Sequence, residues 1–189
     1  MDKIKNRTIV IDSCVLIYFF EDNDEGETRE LINDIRRNGN TILMSAISVF
    51  EVFKNRQTEE KAKEYENLLN SIDDIPIDSP VVMNASTLYY LYKKNKENNK
   101  NRPLDPKDKL TGDLIIGGTV LSYENHLLLT ANIKDFPSPF WETIATAEIG
   151  NNHIKLYLLQ FSYKSIPQEI PLTDPKDWKT KGRSYFFRS

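Results

Sequence analysis

The sequence predicts an α/β domain built on a mostly parallel central sheet, and three observations carry that prediction. Short apolar runs bounded by polar residues occur at 7–12, at Ile42-Leu43-Met44 and at Leu127-Leu128-Leu129-Thr130, the pattern of strands buried on both faces. Helical patterns lie between these runs, and strands alternating with helices favour parallel pairing. The chain has 189 residues, 39% of them hydrophobic, enough for one domain with its own core.

Taken in order, residues 7–12, β-branched from Thr8 to Ile11, read as the first strand. Ser13 follows as a helix N-cap ahead of Val15 to Phe20. Glu21 to Gly26 is an acidic loop. Thr28 to Arg37 carries apolar residues at 31, 32 and 35 and stops at Asn38-Gly39, a helix terminator. After the strand at 42–44, residues Ile47, Val49, Phe50 and Phe53 give a helix with one broad apolar face. Thr58 to Ile72 is helical, with Tyr65, Leu68 and Leu69 turned inward. Ile75-Pro76-Ile77 reads as a short edge strand or linker. Ser79-Pro80 opens a helix that buries Val82, Ala85, Leu88, Tyr89 and Tyr92, then gives way to Asn- and Lys-rich sequence. Pro103 and Pro106 bracket a loop, and Thr111 caps a helix carrying Asp113. Beyond the strand at 127–130, Ile144–Glu148 and Ile154–Phe161 flank Gly150-Asn151-Asn152 as a β-hairpin. Residues 165–189 show no period and read as an irregular arm. The chain therefore divides into residues 1–140, one α/β domain, and 141–189, an extension packed on it.

Composition narrows the function. The net charge of −3 speaks against tight, non-specific nucleic-acid binding by the whole surface. Charge is uneven, however: Lys93, Lys94, Lys96, Lys100, Arg102, Lys107 and Lys109 fall in one stretch, either a solvated helix end and loop or a guide for a polyanion. No apolar run reaches the ~20 residues of a membrane span. The N-terminus does not read as a signal peptide, and the single cysteine, Cys14, has no internal disulfide partner. A cytoplasmic setting is expected.

Four acids stand out. Asp12 ends the first strand, Glu51 lies within Ser45-Ala46-Ile47-Ser48-Val49-Phe50-Glu51, Asp113 opens Asp113-Leu114-Ile115-Ile116-Gly117-Gly118, and Asp135 closes Thr130-Ala131-Asn132-Ile133-Lys134-Asp135. In apolar surroundings an isolated carboxylate costs several kcal/mol to bury. Parallel sheets gather function at the carboxyl ends of their strands, a common meeting place for these acids. Hard divalent ions take oxygen ligands, and such a cluster can hold one or two of them and orient a water for attack on phosphorus. Cys14 reads as a small core residue and His126 as a turn residue before its strand. Tyr89, Tyr90 and Tyr92 read as core and interface, and Gly117-Gly118 as a close helix contact, since the glycines and lysine of a phosphate loop are missing.

These four segments, with Leu128-Leu129-Thr130-Ala131-Asn132-Ile133-Lys134-Asp135-Phe136 the most specific, resemble the acidic motifs of PIN domains in order and spacing over residues ~7–140. The most similar subgroup is the VapC-type toxins. The resemblance implies a three-layer α/β/α fold and a Mg²⁺- or Mn²⁺-dependent endoribonuclease, often dimeric and often neutralised by a small antitoxin. It implies catalytic and metal-binding roles for Asp12, Glu51, Asp113 and Asp135. Thr130 and Asn132 would contact substrate beside them, and Lys109, with its basic stretch, would guide the RNA backbone. This chain departs from the family at Cys14, where a small polar residue such as Asn is usual, and in running on through 141–189.

Other readings fit less well. A haloacid-dehalogenase phosphatase needs a second Asp at position 14, and a receiver domain needs paired acids beside Asp12. A non-catalytic PIN-like module that binds RNA or protein would be expected to have lost one or more of the four acids.

Overall fold

The computed structural model describes residues 4–20, 26–54, 59, 62–63, 66–67, 70–98, 110–123, 126–150 and 153–165. Its centre is a six-stranded sheet. The strands are β1 (Thr8–Ile11), β2 (Thr41–Ser45), β3 (Asp73–Ile75), β4 (His126–Thr130), β5 (Trp141–Ile149) and β6 (Ile154–Phe161), in the spatial order β3-β2-β1-β4-β6-β5. β1 pairs in parallel with β2 and β4, and β2 with β3. The helices are α1 (Ser13–Phe20), α2 (Glu27–Arg37), α3 (Ala46–Lys54), α4 (Ser79–Asn98) and α5 (Leu110–Leu121).

The three layers follow from side-chain alternation. Successive residues of a strand face opposite sides. Ile9, Ile11, Leu127 and Leu129 join Val15, Leu16 and Phe19 of α1, Ile32 and Ile35 of α2 and Val52 of α3 in one core. Val10 and Leu128 face the other way, into a second core with Leu88, Leu91 and Tyr92 of α4 and Ile116 and Val120 of α5. Both faces of the central strands are thus covered, which is why they read as unbroken apolar runs.

The hairpin β5–β6 continues this sheet. β6 pairs antiparallel with β4, and its residues alternate in the same way: Leu156 and Leu158 enter the first core, Leu159 and Phe161 the second. β5 begins at Trp141, three residues earlier than its sequence suggests, because Trp141 is buried against Phe136 and Phe161.

Other details also differ from expectation. α4 buries Val81, Ala85, Leu88, Leu91 and Tyr92, whereas Val82 and Tyr89, expected inside, are about half exposed, as is Tyr90. The reason is α5. A Cβ on Gly118 would lie 2.5 Å from the Val81 carbonyl oxygen and 2.8 Å from the Ala85 nitrogen, so the helix backbones touch there and fix the rotation of α4. The glycine pair is a helix contact, as its sequence suggests. α4 also runs on to Asn98, through sequence that reads as loop. Thr111 lies inside the first turn of α5 rather than capping it. Ser13 is the first residue of α1, while the Asp12 carbonyl accepts from Val15 N at 3.1 Å and starts the helix. β3 takes Asp73–Ile75, two residues before the expected edge strand. His126 is not a turn residue: it opens β4 opposite Thr8 and stacks on Tyr123, and burial lowers its pKa to about 4.

Of the expected helix over 58–72, residues 59, 62–63 and 66–67 are helical and 70–72 are turn and bend, while the rest, with Tyr65, Leu68 and Leu69, lies outside the described residues. Most of the acidic loop at 21–26, the proline-bracketed loop with Lys100, Arg102, Lys107 and Lys109, and the arm from 166 also lie outside the described residues. Among the described residues no helix is long and apolar enough to cross a membrane.

Candidate active site

The site lies at the carboxyl ends of β1 and β4, where α1 and α5 begin. Asp12 directly follows β1 and is 2% exposed. Its backbone N–H donates to Leu129 O at 2.9 Å, locking it to the neighbouring strand. Its carboxylate is held by side chains on both sides. Thr130 Oγ1 donates to Asp12 Oδ2 at 2.6 Å, and Cys14 Sγ donates to the same oxygen at 3.1 Å. Thr130 in turn accepts from the Asn132 N–H at 2.9 Å, and the Cys14 sulfur accepts from the Ala131 N–H at 3.3 Å. The donors thus converge on one buried oxygen. Burial and then the Asp12 charge push the Cys14 thiol well above its ordinary pKa, keeping the proton that makes this donation. Cys14 packs beside the first core as expected, and it has this polar task as well.

Glu51 reaches the site from the second turn of α3. Ser13 connects it to Asp12: the Ser13 hydroxyl lies 2.5 Å from Glu51 Oε2, to which it donates, and 3.3 Å from Asp12 Oδ1. Gly112 makes room for Glu51, since a Cβ there would stand 2.5 Å from Glu51 Oε1. Neither Ser13 nor Gly112 is marked as a site residue by sequence. The available signals are a hydroxyl directly after the strand-end acid and a glycine directly before a helix acid.

Asp113 sits in the first turn of α5, where the helix dipole favours negative charge. Its pKa is nevertheless raised to about 8, first by burial and then by the charges of Asp135, Asp12 and Glu51. This coupling brings the four predicted acids into one electrostatic cluster. Asp135 ends a short 3₁₀ turn, Ile133–Asp135, and accepts a hydrogen bond from the Asn132 side chain. Beneath it, Phe136 packs edge-on against Trp141, whose Nε1 donates to Tyr92 Oη at 2.6 Å. Tyr92 is therefore core, with its phenol pKa raised by burial and then by Asp113 and Asp135.

The donor set suits a hard divalent cation: four carboxylates, all oxygen, with like charges crowding Asp113. Among the described residues no three acidic, His or Cys side chains already form a closed metal-holding group. Asp12, Glu51 and Asp135 are each held by their own hydrogen bonds. Of the other predicted substrate contacts, Thr130 is buried against Asp12 and Asn132 is exposed beside Asp135. Lys109 lies outside the described residues, and of its basic stretch only the side chains of Lys93 and Lys94, on α4, are described.

Comparison with known proteins bears on the family and the fold. The family model of the PIN domain matches residues 9–137. Among solved structures, the chain is similar to VapBC2 from Rickettsia felis bound to a DNA fragment from its promoter, at 19% identity and a TM-score of 0.50 over 68% of this chain and 90% of that one. It is similar to VapBC-1 from nontypeable Haemophilus influenzae at 21% identity, with the same TM-score and coverage. At these identities the likeness is one of fold. No curated protein matches the chain in sequence. The matched model spans the first strand, the acidic turn after β4 and all the elements between, and on that ground the chain belongs to the PIN domain family.

Proposed function

We propose that this protein is a Mg²⁺- or Mn²⁺-dependent endoribonuclease that hydrolyses RNA phosphodiester bonds and acts as the toxin of a toxin–antitoxin pair. The observation that carries the reading is Asp113, whose pKa burial and then the charges of Asp135, Asp12 and Glu51 raise to about 8. Four like charges in one pocket are costly in a purely structural role, and a shared cation removes that cost. Such an ion, when bound, lowers the pKa of water and polarises a phosphoryl oxygen.

The chain's own residues divide the work. Asp12 and Asp113 would hold the ion directly, Asp12 with its second oxygen fixed by Thr130 and Cys14. Glu51 and Asp135 would orient the attacking water, Glu51 steadied by Ser13 and Asp135 by Asn132. Membership of the PIN family and the likeness to two VapBC structures support the toxin reading. On that reading the partner is a small antitoxin, the chain pairs as a homodimer, its setting is cytoplasmic, and Lys109 and its neighbours guide the RNA backbone.

The test is cleavage of total RNA by the purified chain in Mg²⁺, Mn²⁺ or EDTA, beside Asp12→Asn and, as a control on the exposed edge strand, Asp73→Asn. Cleavage should need the ion, vanish in Asp12→Asn and persist in Asp73→Asn. Equal cleavage in EDTA, or undiminished cleavage by folded Asp12→Asn, would sink the mechanism.

A further inference from the structure

The β5–β6 hairpin lies beyond the residues matched by the family model, yet it sends side chains to the face of the sheet that carries the acids. That face follows from alternation along each strand. Val10 and Leu128 enter the second core, so Asp12 and Thr130, two residues on, stand on the same side, and the hydrogen bond between them joins them there. β6 continues the row. Tyr157 is paired directly with Thr130. Leu159 and Phe161 share its face and enter the second core, whereas Ile154, Leu156 and Leu158 face the first. Lys155 therefore projects from the face of Tyr157. The contact between them agrees: the ammonium lies over the Tyr157 ring, 5.5 Å from its centroid.

We propose that Lys155, aimed by Tyr157, binds a backbone phosphate of the RNA strand flanking the one held at the acids, a proposal that rests on the nuclease reading above. Lys155 is exposed, and among the described residues it forms no ion pair. Glu148, its cross-strand neighbour on β5, stands 3.9 Å from His153 instead. The ammonium leans along β6 toward the level of Thr130 rather than across to β5. Tyr157 is partly buried against the second core, so the ring that holds the cation is itself held. Strands about 4.8 Å apart, rising about 3.4 Å per residue, set the Lys155 Cα roughly 12 Å from that of Asp12, two strands across and two residues along. Among the described residues the charges acting on Asp113 are all carboxylates. At that remove Lys155 neither neutralises the acids nor competes with their ion, and the group it meets is a neighbouring phosphate. A cation so placed also offsets the repulsion that a carboxylate cluster exerts on a polyanion. The hairpin would thereby supply one of the grips on the RNA backbone that the chain's net negative charge does not.

The experiment uses the full chain carrying Asp12→Asn, so that RNA is bound and not cut, with Mg²⁺ present. Fluorescence anisotropy measures its affinity for a labelled oligouridine over a range of salt. Adding Lys155→Ala should weaken binding about fivefold, the upper range for an exposed charge pair. It should also lower the slope of log Kd against log salt by about 0.7, one phosphate of a single strand. Lys155→Arg should keep both. Lys164→Ala is the control: it removes the same charge from the turn beyond the other end of β6 and should change neither. Tyr157→Leu should weaken binding when Lys155 is present and add nothing once Lys155 is alanine, because the ring acts through the lysine. A Lys155→Ala chain that behaves like Lys164→Ala, or a Tyr157→Leu effect that persists in full without Lys155, overturns the contact. Cleavage of total RNA by the parent chain in Mg²⁺ then leaves the nuclease reading standing. A folded parent that cuts no RNA, with an Asp12→Asn chain that binds none, overturns both.

Discussion

Asp113→Asn tests the charge cluster without asking which RNA is cut. The substitution keeps the side chain's shape and removes one negative charge from a group of four. In the folded chain Asp113 is raised from 3.8 to about 8, by burial first and then by Asp135, Asp12 and Glu51. A carboxyl raised in the folded state holds its proton where the unfolded chain has lost it. Its contribution to stability is therefore fully present below about pH 4, declines as pH rises toward about 8, and is absent above. Each unit of displacement corresponds to about 1.4 kcal/mol. Asp113 is partly exposed and water screens its neighbours, so we count about a third of the displacement, roughly 2 kcal/mol. For a chain of this size that is a rise in Tm of about 4–8 °C for the Asn variant at pH 8.5 in EDTA. At pH 4 the two proteins should melt together. Mg²⁺ should reverse the order at pH 8.5, because an ion at 100 times its Kd stabilises the parent by about 2.7 kcal/mol and Asn weakens its hold. The measurement is a set of calorimetric melts from pH 4 to 9, with EDTA or Mg²⁺. A Tm difference independent of pH, or an Asn variant less stable than its parent in EDTA at pH 8.5, would refute the reasoning.

Three further substitutions probe the supports of the site. Gly118→Ala places a methyl group 2.5 Å from the Val81 carbonyl oxygen, so α4 and α5 must separate; calorimetry should show a loss of about 1–3 kcal/mol, the usual cost of overpacking. Trp141→Phe keeps the aromatic packing and removes the N–H that meets Tyr92 Oη, which should cost about 1–3 kcal/mol in a denaturant titration. Thr130→Val keeps the volume but removes both the donor to Asp12 Oδ2 and the acceptor for the Asn132 N–H. Cleavage should fall at least tenfold, at a temperature where circular dichroism shows the variant fully folded.

Much of this arrangement is legible in the sequence because it is local. A short unbroken apolar run with an acid after its last residue places Asp12 at the carboxyl end of a buried strand, and Thr130 ends β4 by the same logic. The misread features depend on partners distant in sequence. α4 has apolar residues on two faces, Val81 with Leu88 and Val82 with Tyr89, and its own periodicity does not choose between them. The choice is made by Gly118 some thirty residues later, which lets the backbone at Val81 and Ala85 come close. Ser13 shows the same limit: beside Asp12 it reads as a helix cap, and only folding brings Glu51 to its hydroxyl from 38 residues away.

The hairpin illustrates how a peripheral element can bear on a site. The family model ends at residue 137, before β5 begins. Trp141 nevertheless packs against Phe136, the residue after Asp135, and hydrogen-bonds Tyr92 of α4. β6 pairs with β4 through Leu128, Leu129 and Thr130, and Thr130 donates to Asp12. The hairpin thus braces the floor beneath Asp135 and the strand that delivers Thr130. A loosening of β5 and β6 would release one acid directly and the hydrogen-bond donor of another. Residues after 140 therefore belong to the site's mechanics, although they carry none of its four acids.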